Sequence, residues 1–353
     1  MKHLELENPD CRGILKTGKP YSICIGAGIC NSIMPDWKEL TFEVLKETVN
    51  PSLTIAEFDT LYYNLGWSLD SILQGSLNYV QENGGNIDTF NELIQQKLYS
   101  KITDNAARYN LDSKLHRFIS DPFQRNSSDI IEIYNFFNNE YGNSSLFQLS
   151  KFLIESREKG NPPTAIITFN ADVLLHSLLT LIQLKDTFDK TGKTNSADFY
   201  YKAVHHIIES DGHKIPIFHV HGSIVPFSGK RDARQNLVFQ ETSYHEVSGS
   251  THSWQQIIFQ YYALRNRIIF IGLSMSDPNI RRWLAHVHSV LNRDILHLTG
   301  KEEKSASHIW ITPKSISVTE QKFKKLGLYH LGVKVGEIEN WTKLYSGLSN
   351  LIS

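Results

Sequence analysis

Four short groups of small and polar residues could support chemistry, and each of them follows an apolar run. They are Gly26-Ala27-Gly28, Asn170-Ala171-Asp172, His221-Gly222-Ser223 and Gly272-Leu273-Ser274. Paired glycines let a backbone approach a pyrophosphate, whose charge is stabilised by the positive end of a following helix. An imidazole, whose pKa is ordinarily near 6.5, can act as a general base at neutral pH. These groups predict a phosphate-binding site with acid–base chemistry beside it.

Each group also has a purely structural interpretation. The Gly-Ala-Gly turn could be only a tight connection, because no glycine follows to complete the G-x-G-x-x-G fingerprint. Asn170 and Asp172 are favoured helix caps, and the segment ADVLLHSLL has the pattern of a helix start. His221 alternates with His219 on one strand face, so either could be a core residue. Taken singly, none of these signals is specific.

Histidines are numerous, at 15 in the chain, so a metal site is a further alternative. The set available for it is His205, His206, His213, His219 and His221. It has no clear carboxylate partner and no familiar ligand spacing. We therefore predict that the site contains no metal.

The elements that position these groups form an α/β fold. The apolar runs YSICI, TAIITF, IPIFHV, RIIFI and HIWIT predict parallel strands covered on both faces, and GVKVGEI predicts a sixth strand. In open parallel sheets, ligands bind outside the carboxyl ends of the strands, where the polar groups stand. The sequence thus predicts a Rossmann-like parallel sheet with helices on both faces.

Residues 51–160 have a different pattern. Helical stretches such as LDSILQGSLNYVQE and SLFQLSKFLIESREK predict a large helical insertion between strands one and two. We predict two domains on this basis: a nucleotide-binding domain made of residues 1–50 and 161–353, and a helical domain at 51–160. Asn31 or Ser32 is expected to cap the first helix, with Trp37 and Leu40 on its apolar face.

Composition excludes several classes of protein. Lys and Arg number 36 against 37 Asp and Glu, which argues against nucleic-acid binding by the whole surface. The three cysteines, Cys11, Cys24 and Cys30, include no C-x-x-C pair, so neither a disulfide framework nor a zinc ribbon is expected. The N-terminal sequence has no apolar signal region, and no apolar run is long enough to cross a bilayer. A soluble cytoplasmic protein is the expectation.

Taken together, the four groups are much more specific. The segments GAGIC, TFNADVLLH, HVHGSI and IGLSMSDPNI occur in this order, each after an expected strand, and this arrangement resembles the sirtuin-like family. Pro35-Asp36-Trp37 is similar to the Pro-Asp-Phe segment of that family's cofactor loop. The resemblance runs from about Tyr21 to Lys314, with the helical insertion left aside.

The resemblance implies a role for each residue of the site. Asn170 would hold the nicotinamide ribose of NAD⁺ and orient water, and His221 would be the general base. Asp172 would accept a hydrogen bond from the carboxamide or steady the Asn170 loop. The remaining NAD-binding positions implied by the family are Gly26, Ala27, Gly28, Asp36, Trp37, Gly272 and Ser274. Asp277 is interpreted instead as the cap of a helix that begins at Pro278.

The chain departs from protein-deacylating sirtuins, because it has no zinc module of two C-x-x-C pairs. It resembles instead the divergent bacterial branch, whose members are typically NAD⁺ hydrolases of anti-phage defence. NAD⁺ is then the substrate, no metal is used, and nicotinamide and ADP-ribose are the products. Cys30 stands where the family usually has serine.

Three other functions stay open. A protein deacylase would use the same NAD⁺ chemistry, and a non-catalytic sensor would bind NAD⁺ or ADP-ribose without turnover. A nucleic-acid-binding module would depend on Lys230, Arg231, Arg234, Lys322, Lys324 and Lys325. Because free NAD⁺ hydrolysis would be toxic, we expect control by self-assembly, by a separately encoded partner, or by both. A HerA-type ATPase is the first candidate partner and a short Argonaute the second.

Overall fold

A computed structural model describes residues 11, 14, 18–122, 126–193, 199–206, 213–226, 234–235, 237–249, 253–300 and 306–352. Its centre is a seven-stranded parallel sheet. The strands are β1 (Tyr21–Ile25), β2 (Ile166–Thr168), β3 (Tyr201–Val204), β4 (Ile215–His219), β7 (Arg267–Ile271), β8 (His308–Pro313) and β9 (Val333–Ile338), in the order β3-β4-β2-β1-β7-β8-β9. Two short strands, β5 (Ser223–Ile224) and β6 (Arg234–Gln235), form a separate antiparallel pair.

Helices surround this sheet. Those before β2 are α1 (Trp37–Thr48), α2 (Ile55–Asp59), α3 (Leu69–Glu82), α4 (Ile87–Ala107), α5 (Asp112–Ser120), α6 (Ser127–Tyr141) and α7 (Ser145–Glu158). Those after it are α8 (Leu174–Thr191), α9 (Glu241–Gly249), α10 (Trp254–Arg265), α11 (Pro278–Thr299), α12 (Val318–Tyr329) and α13 (Trp341–Ile352). A 3₁₀ turn, Ala27–Ile29, follows β1, and a π-helical turn, Thr60–Asn64, follows α2.

The two faces of the sheet carry separate apolar cores. Ile23 and Ile25 of β1 belong to one core, and Cys24 between them belongs to the other. This alternation follows from the two-residue period of a strand. Helices from both halves of the chain cover these faces, which confirms the predicted Rossmann-like α/β fold with its helical insertion between β1 and β2. The predicted division into two domains stays a prediction.

The six strands expected from apolar runs are all present, and β3 was not expected. Its segment, YKAV, lies at the edge of the sheet, and its two central residues are only half-buried. An edge strand with one paired side needs less apolar sequence than a central one. The pattern of continuous apolar residues therefore could not reveal it.

The predicted cap of the first helix is wrong. α1 begins at Trp37, and Asp36 caps it, because the Asp36 carboxylate accepts from the Glu39 N–H at 2.8 Å. The Glu39 carboxylate accepts in turn from the Asp36 N–H, which completes a capping box. Asn31 and Ser32 lie in the exposed turn before it.

The loops after β1 and β7 approach each other closely because both carry glycine. Gly272 has a φ of +69°, and a Cβ built on it would lie 2.6 Å from the backbone nitrogen of Ile29. A Cβ on Gly28 would lie 2.8 Å from the carbonyl oxygen of Gly272. Because these glycines have no side chains, the loops that follow two neighbouring strands pack in direct backbone contact.

Gly272→Ala is expected to lower the free energy of unfolding by about 2–4 kcal/mol. The added methyl group meets the Ile29 backbone, and alanine resists a positive φ. Urea unfolding measures this change. Gly75→Ala is the matched control, since Gly75 lies within α3 with nothing within 4 Å of its added Cβ. The control is expected to gain up to about 1 kcal/mol. Equal stabilities of the two variants would contradict the close approach.

Candidate functional site

Strand register brings Asn170 and His221 to the same edge of the sheet. β2 and β4 are hydrogen-bonded neighbours, and Thr168 pairs with His219. Asn170 and His221 each lie two residues beyond this pair. The ring of Phe169 contacts the ring of His221 edge to face, with the ring centroids 4.8 Å apart. The carboxyl ends of two adjacent strands therefore carry both polar side chains.

Asn170 is buried, and among the described residues only one end of its side-chain amide has a hydrogen-bond partner. Its Nδ2 donates to Cys30 Sγ at 3.4 Å. Among the described residues, its Oδ1 has no hydrogen-bond partner. A buried amide oxygen without a partner costs about 1–3 kcal/mol, so such an atom is kept where a ligand or a water molecule satisfies it.

Cys30 connects the Gly-Ala-Gly turn to the segment after β2. Its thiol donates to Asp172 Oδ2 at 3.6 Å, and it accepts from Asn170. Burial, and then the charge of Asp172, raise the pKa of the thiol well above its ordinary value, so it stays a protonated donor. Burial also raises the pKa of Asp172. Asp172 Oδ1 accepts from the Leu174 N–H at 3.0 Å, so this carboxyl steadies the turn into α8.

His221 is buried between the aromatic rings of Phe169 and Tyr244. Tyr244 of α9 lies edge to face with it at 5.1 Å between centroids, and the Tyr244 hydroxyl lies 3.5 Å from His221 Nδ1. Within the described chain, Nε2 has no hydrogen-bond partner. Burial lowers the pKa of His221 to about 4, against a smaller opposite effect of Asp277. The imidazole is therefore neutral at physiological pH, as a general base must be.

The Gly-Ala-Gly turn lies beside these residues. Ala27 and Gly28 are exposed, whereas Gly26 is buried. The N–H of Gly26 donates to Ile271 O at 3.2 Å, and the N–H of Gly28 donates to Gly272 O at 2.9 Å. These two N–H groups are thus used within the protein. The turn offers an exposed surface whose largest side chain is the methyl group of Ala27, and two of its N–H groups are not available to a ligand.

The remaining predicted NAD-binding residues lie at different depths. Trp37 stacks on Phe239, with centroids 5.3 Å apart, and the N–H of the adjacent Val238 donates to His221 O at 3.0 Å. Trp37 therefore joins the His221 side of the site to the loop after β1. The Asp36 carboxylate is occupied as a helix cap. Ser274 is exposed, and its hydroxyl oxygen lies 2.5 Å from that of Ser276, within hydrogen-bond distance.

The helical insertion contacts the site through α4. Tyr99 donates to Ile224 O at 2.6 Å and accepts from the Val173 N–H at 3.2 Å. Lys101 donates to the carbonyl of Asn31, just beyond the Gly-Ala-Gly turn, at 2.9 Å. One helix of the insertion thus holds segments that follow three different strands.

The histidines that the structure describes form no recognisable metal centre. Across the described ranges, no three His, Cys, Asp or Glu side chains are grouped so that they could hold a metal ion. His205 and His219 stack at 5.2 Å between centroids, and Ser223 Oγ lies 2.7 Å from His205 Nε2.

Only part of the basic cluster that was considered for nucleic-acid binding lies within the described residues. Lys230 and Arg231 lie outside the described residues, as does the side chain of Arg234. Lys324 pairs with Glu320 at 2.8 Å, whereas Lys322 and Lys325 are exposed.

Sequence patterns missed the contacts that four residues make at this site. Cys30 contacts Asn170 and Asp172, Tyr99 and Tyr244 bind segments around the site, and Asp277 accepts from Tyr244 through its second carboxylate oxygen. Asp277 does cap α11, as predicted, because its Oδ1 accepts from the Asn279 and Ile280 N–H groups. Its Oδ2 accepts from Tyr244 at 3.5 Å. These contacts join residues far apart in sequence, so local patterns contain no signal for them.

Comparison with models of known protein families gives a match. Residues 164–331 match a family model described as a SIR2-like domain. The match includes Asn170, Asp172, His221, Gly272 and Ser274, while the Gly-Ala-Gly turn lies before it. No curated protein matches the chain. SIR2-like domains are broadly NAD-dependent enzymes, so the match indicates an NAD-related activity. No helix in the described ranges has both the length and the apolar composition of a membrane span.

Proposed function

We propose that this chain, whose residues 164–331 form a SIR2-like domain, hydrolyses NAD⁺ to nicotinamide and ADP-ribose. One observation carries the proposal. Asn170 Oδ1 and His221 Nε2 are buried polar atoms without partners in the described structure, at the ends of two adjacent strands. A ribose with its hydroxyl groups, together with one water molecule, would supply the partners that both atoms lack.

Nicotinamide can leave without the help of a general acid. The bond from the ribose to nicotinamide joins a cationic ring, and the bonding electron pair leaves with its nitrogen to give a neutral base. An ordinary glycoside needs a carboxylic acid at this point, whereas NAD⁺ does not. Water attacks C1′ of the ribose and loses a proton. The enzyme must therefore hold the ribose, place the water and accept one proton.

The side chains at the site suit these tasks. Asn170 Oδ1 is an acceptor for a ribose hydroxyl or for water, and its amide is fixed by the bond from Nδ2 to Cys30. His221 Nε2 is the proton acceptor, because the neutral ring keeps a lone pair there. A positioned general base contributes about 10²–10⁴-fold in rate. The diphosphate would lie over the exposed Ala27 and Gly28.

The test is a time course with the purified full chain and NAD⁺. We expect nicotinamide and ADP-ribose to appear in equal amounts without any other substrate. A second reaction contains an acetyl-lysine peptide. Deacylated peptide and acetyl-ADP-ribose there, with no products in its absence, would identify a protein deacylase instead. NAD⁺ binding measured by calorimetry without any turnover would favour the sensor, and neither binding nor turnover would contradict the proposal.

The biological setting rests on the sequence resemblance alone. A role in anti-phage defence, self-assembly, and a HerA-type ATPase or short Argonaute as partner all stay predictions. The contacts of α4 with the site support the idea that the helical insertion could transmit such control.

A further inference from the structure

Tyr244 and Asp277 form a short chain of polar groups behind His221. The Tyr244 hydroxyl lies 3.5 Å from His221 Nδ1 and 3.5 Å from Asp277 Oδ2. Asp277 stands at the start of α11, and Tyr244 lies on α9, so two separate helices meet behind the imidazole. The opposite nitrogen, Nε2, has no hydrogen-bond partner among the residues that the structure describes.

The direction of these bonds follows from what each group can donate. A carboxylate has only acceptor atoms, so the bond between Tyr244 and Asp277 requires the tyrosine to donate. The phenol has a single proton, and its oxygen can then only accept from the imidazole. The proton of the neutral His221 ring therefore lies on Nδ1, and the lone pair lies on Nε2.

We propose that Tyr244 and Asp277 are positioning residues that fix the His221 tautomer so that Nε2 is the base. The catalytic consequence of this proposal rests on the proposed function. The tautomer itself does not, because it is a property of the protein without NAD⁺. Burial and the charge of Asp277 raise the pKa of Tyr244 well above its ordinary value, so the phenol stays protonated and keeps this direction.

Asp277→Asn is a selective test because the helix cap fixes the orientation of the new amide. Asp277 Oδ1 accepts from the N–H groups of Asn279 and Ile280 at 2.7 and 3.2 Å. Asparagine caps helices as well as aspartate does, so its oxygen takes this place and its NH₂ faces Tyr244. The amide then donates to the phenol, the phenol donates to Nδ1, and the ring proton moves to Nε2. The base is lost while the fold is kept.

Two measurements follow on the full chain. The first is the tautomer of His221 in ¹⁵N-histidine-labelled protein without NAD⁺, read from two-bond NMR correlations and assigned by comparison with His221→Gln. We expect the Nδ1–H form in the wild type and the Nε2–H form in Asp277→Asn. The second is kcat for NAD⁺ hydrolysis. We expect a loss of about 10²–10⁴-fold in Asp277→Asn and of about tenfold in Tyr244→Phe, which loses one hydrogen bond.

The double variant shows whether Asp277 acts through Tyr244. Without the hydroxyl, the amide at 277 has no phenol proton to redirect, so the double variant should lie within about twofold of Tyr244→Phe. Multiplied losses would mean that the two residues act independently and would overturn the proposal. Tyr261→Phe, a change at an exposed tyrosine of α10, is the control and should leave both readouts unchanged.

The failure of this inference is separable from that of the proposed function. An Nε2–H tautomer in an active wild-type enzyme would overturn the positioning role and leave hydrolysis standing. The expected tautomers in a protein that does not cleave NAD⁺ would support the polar chain and contradict the hydrolase. Thermal unfolding of Asp277→Asn close to that of the wild type verifies that the cap is intact.

Discussion

His221→Ala is expected to lower the rate of nicotinamide release by about 10²–10⁴-fold, which is the usual contribution of a positioned general base. Asn170→Ala is expected to lower it by about 10²–10³-fold, the range found for the loss of one positioned polar group. Both losses should fall mainly on kcat. The exposed turn at Ala27 and Gly28 is untouched, so binding of ADP-ribose should change much less. Product analysis and calorimetry measure the two effects separately.

Matched controls separate these losses from unfolding. His286 and Asn139 are exposed on α11 and α6, so His286→Ala and Asn139→Ala change the same residue types outside the site. Asn170 Oδ1 and His221 Nε2 have no hydrogen-bond partner in the described structure. Truncation to alanine therefore removes the free-energy cost of burying each of these atoms unpaired, which offsets part of the lost packing. Wild-type turnover in either site variant, with its fold intact, would remove that residue from the mechanism.

Acid is expected to unfold this protein cooperatively, because four largely buried histidines are held neutral. Burial lowers the pKa of His219 and His308 to about 3 and that of His176 and His221 to about 4, from an ordinary value of 6.5. His308 Nδ1 also accepts from the Ile268 N–H at 3.1 Å, which a protonated ring could not do. Above pH 6.5, the folded and unfolded states both hold these rings neutral, and no stability is lost.

Below pH 6.5, the unfolded state binds protons that the folded state does not, so the free energy of unfolding falls as pH falls. Each histidine contributes about 1.4 kcal/mol per pH unit, and four together about 5.5 kcal/mol per pH unit, until the folded pKa values are reached. A total stability of about 5–15 kcal/mol would then be exhausted roughly 1–3 units below pH 6.5. Urea unfolding at a series of pH values between 7 and 5 measures the slope.

His219→Leu tests the origin of this slope. The variant removes one of four buried titrating rings, so the slope should fall by about a quarter. His286→Ala, at the exposed position on α11, should leave it unchanged. A slope in the leucine variant equal to that of the wild type would show that His219 is protonated in the folded protein, against the effect of its burial.

The sheet and its chemistry-bearing edge could be predicted because both depend on local sequence. Continuous β-branched runs mark buried parallel strands wherever they occur, and polar residues directly after two such strands share one edge when the strands are neighbours. This placed Asn170 and His221 at the ends of strands. Asn170 and His221 come together because β2 and β4 are neighbours in the sheet. This strand order is known only from the structure.

The surroundings of the two residues could not be predicted in the same way. Cys30 has no special local pattern, yet it contacts both Asn170 and Asp172, which lie 140 and 142 residues away in the sequence. Tyr244 lies in a short helix that no sequence pattern singled out, and its contact with His221 joins two separate elements of the fold. The Asp277 cap was predictable from the following proline, but the use of its second oxygen was not.

The central claim is that one dinucleotide spans the Gly-Ala-Gly turn, Asn170 and His221. A crystal structure of the full chain with carba-NAD⁺, whose carbocycle resists hydrolysis, tests it directly. We expect the diphosphate over Ala27 and Gly28, and the nicotinamide-bearing ring within hydrogen-bond distance of Asn170 Oδ1, with His221 Nε2 facing the same ring or a water beside it. A dinucleotide bound elsewhere, or one that leaves both of these atoms without partners, would contradict the account.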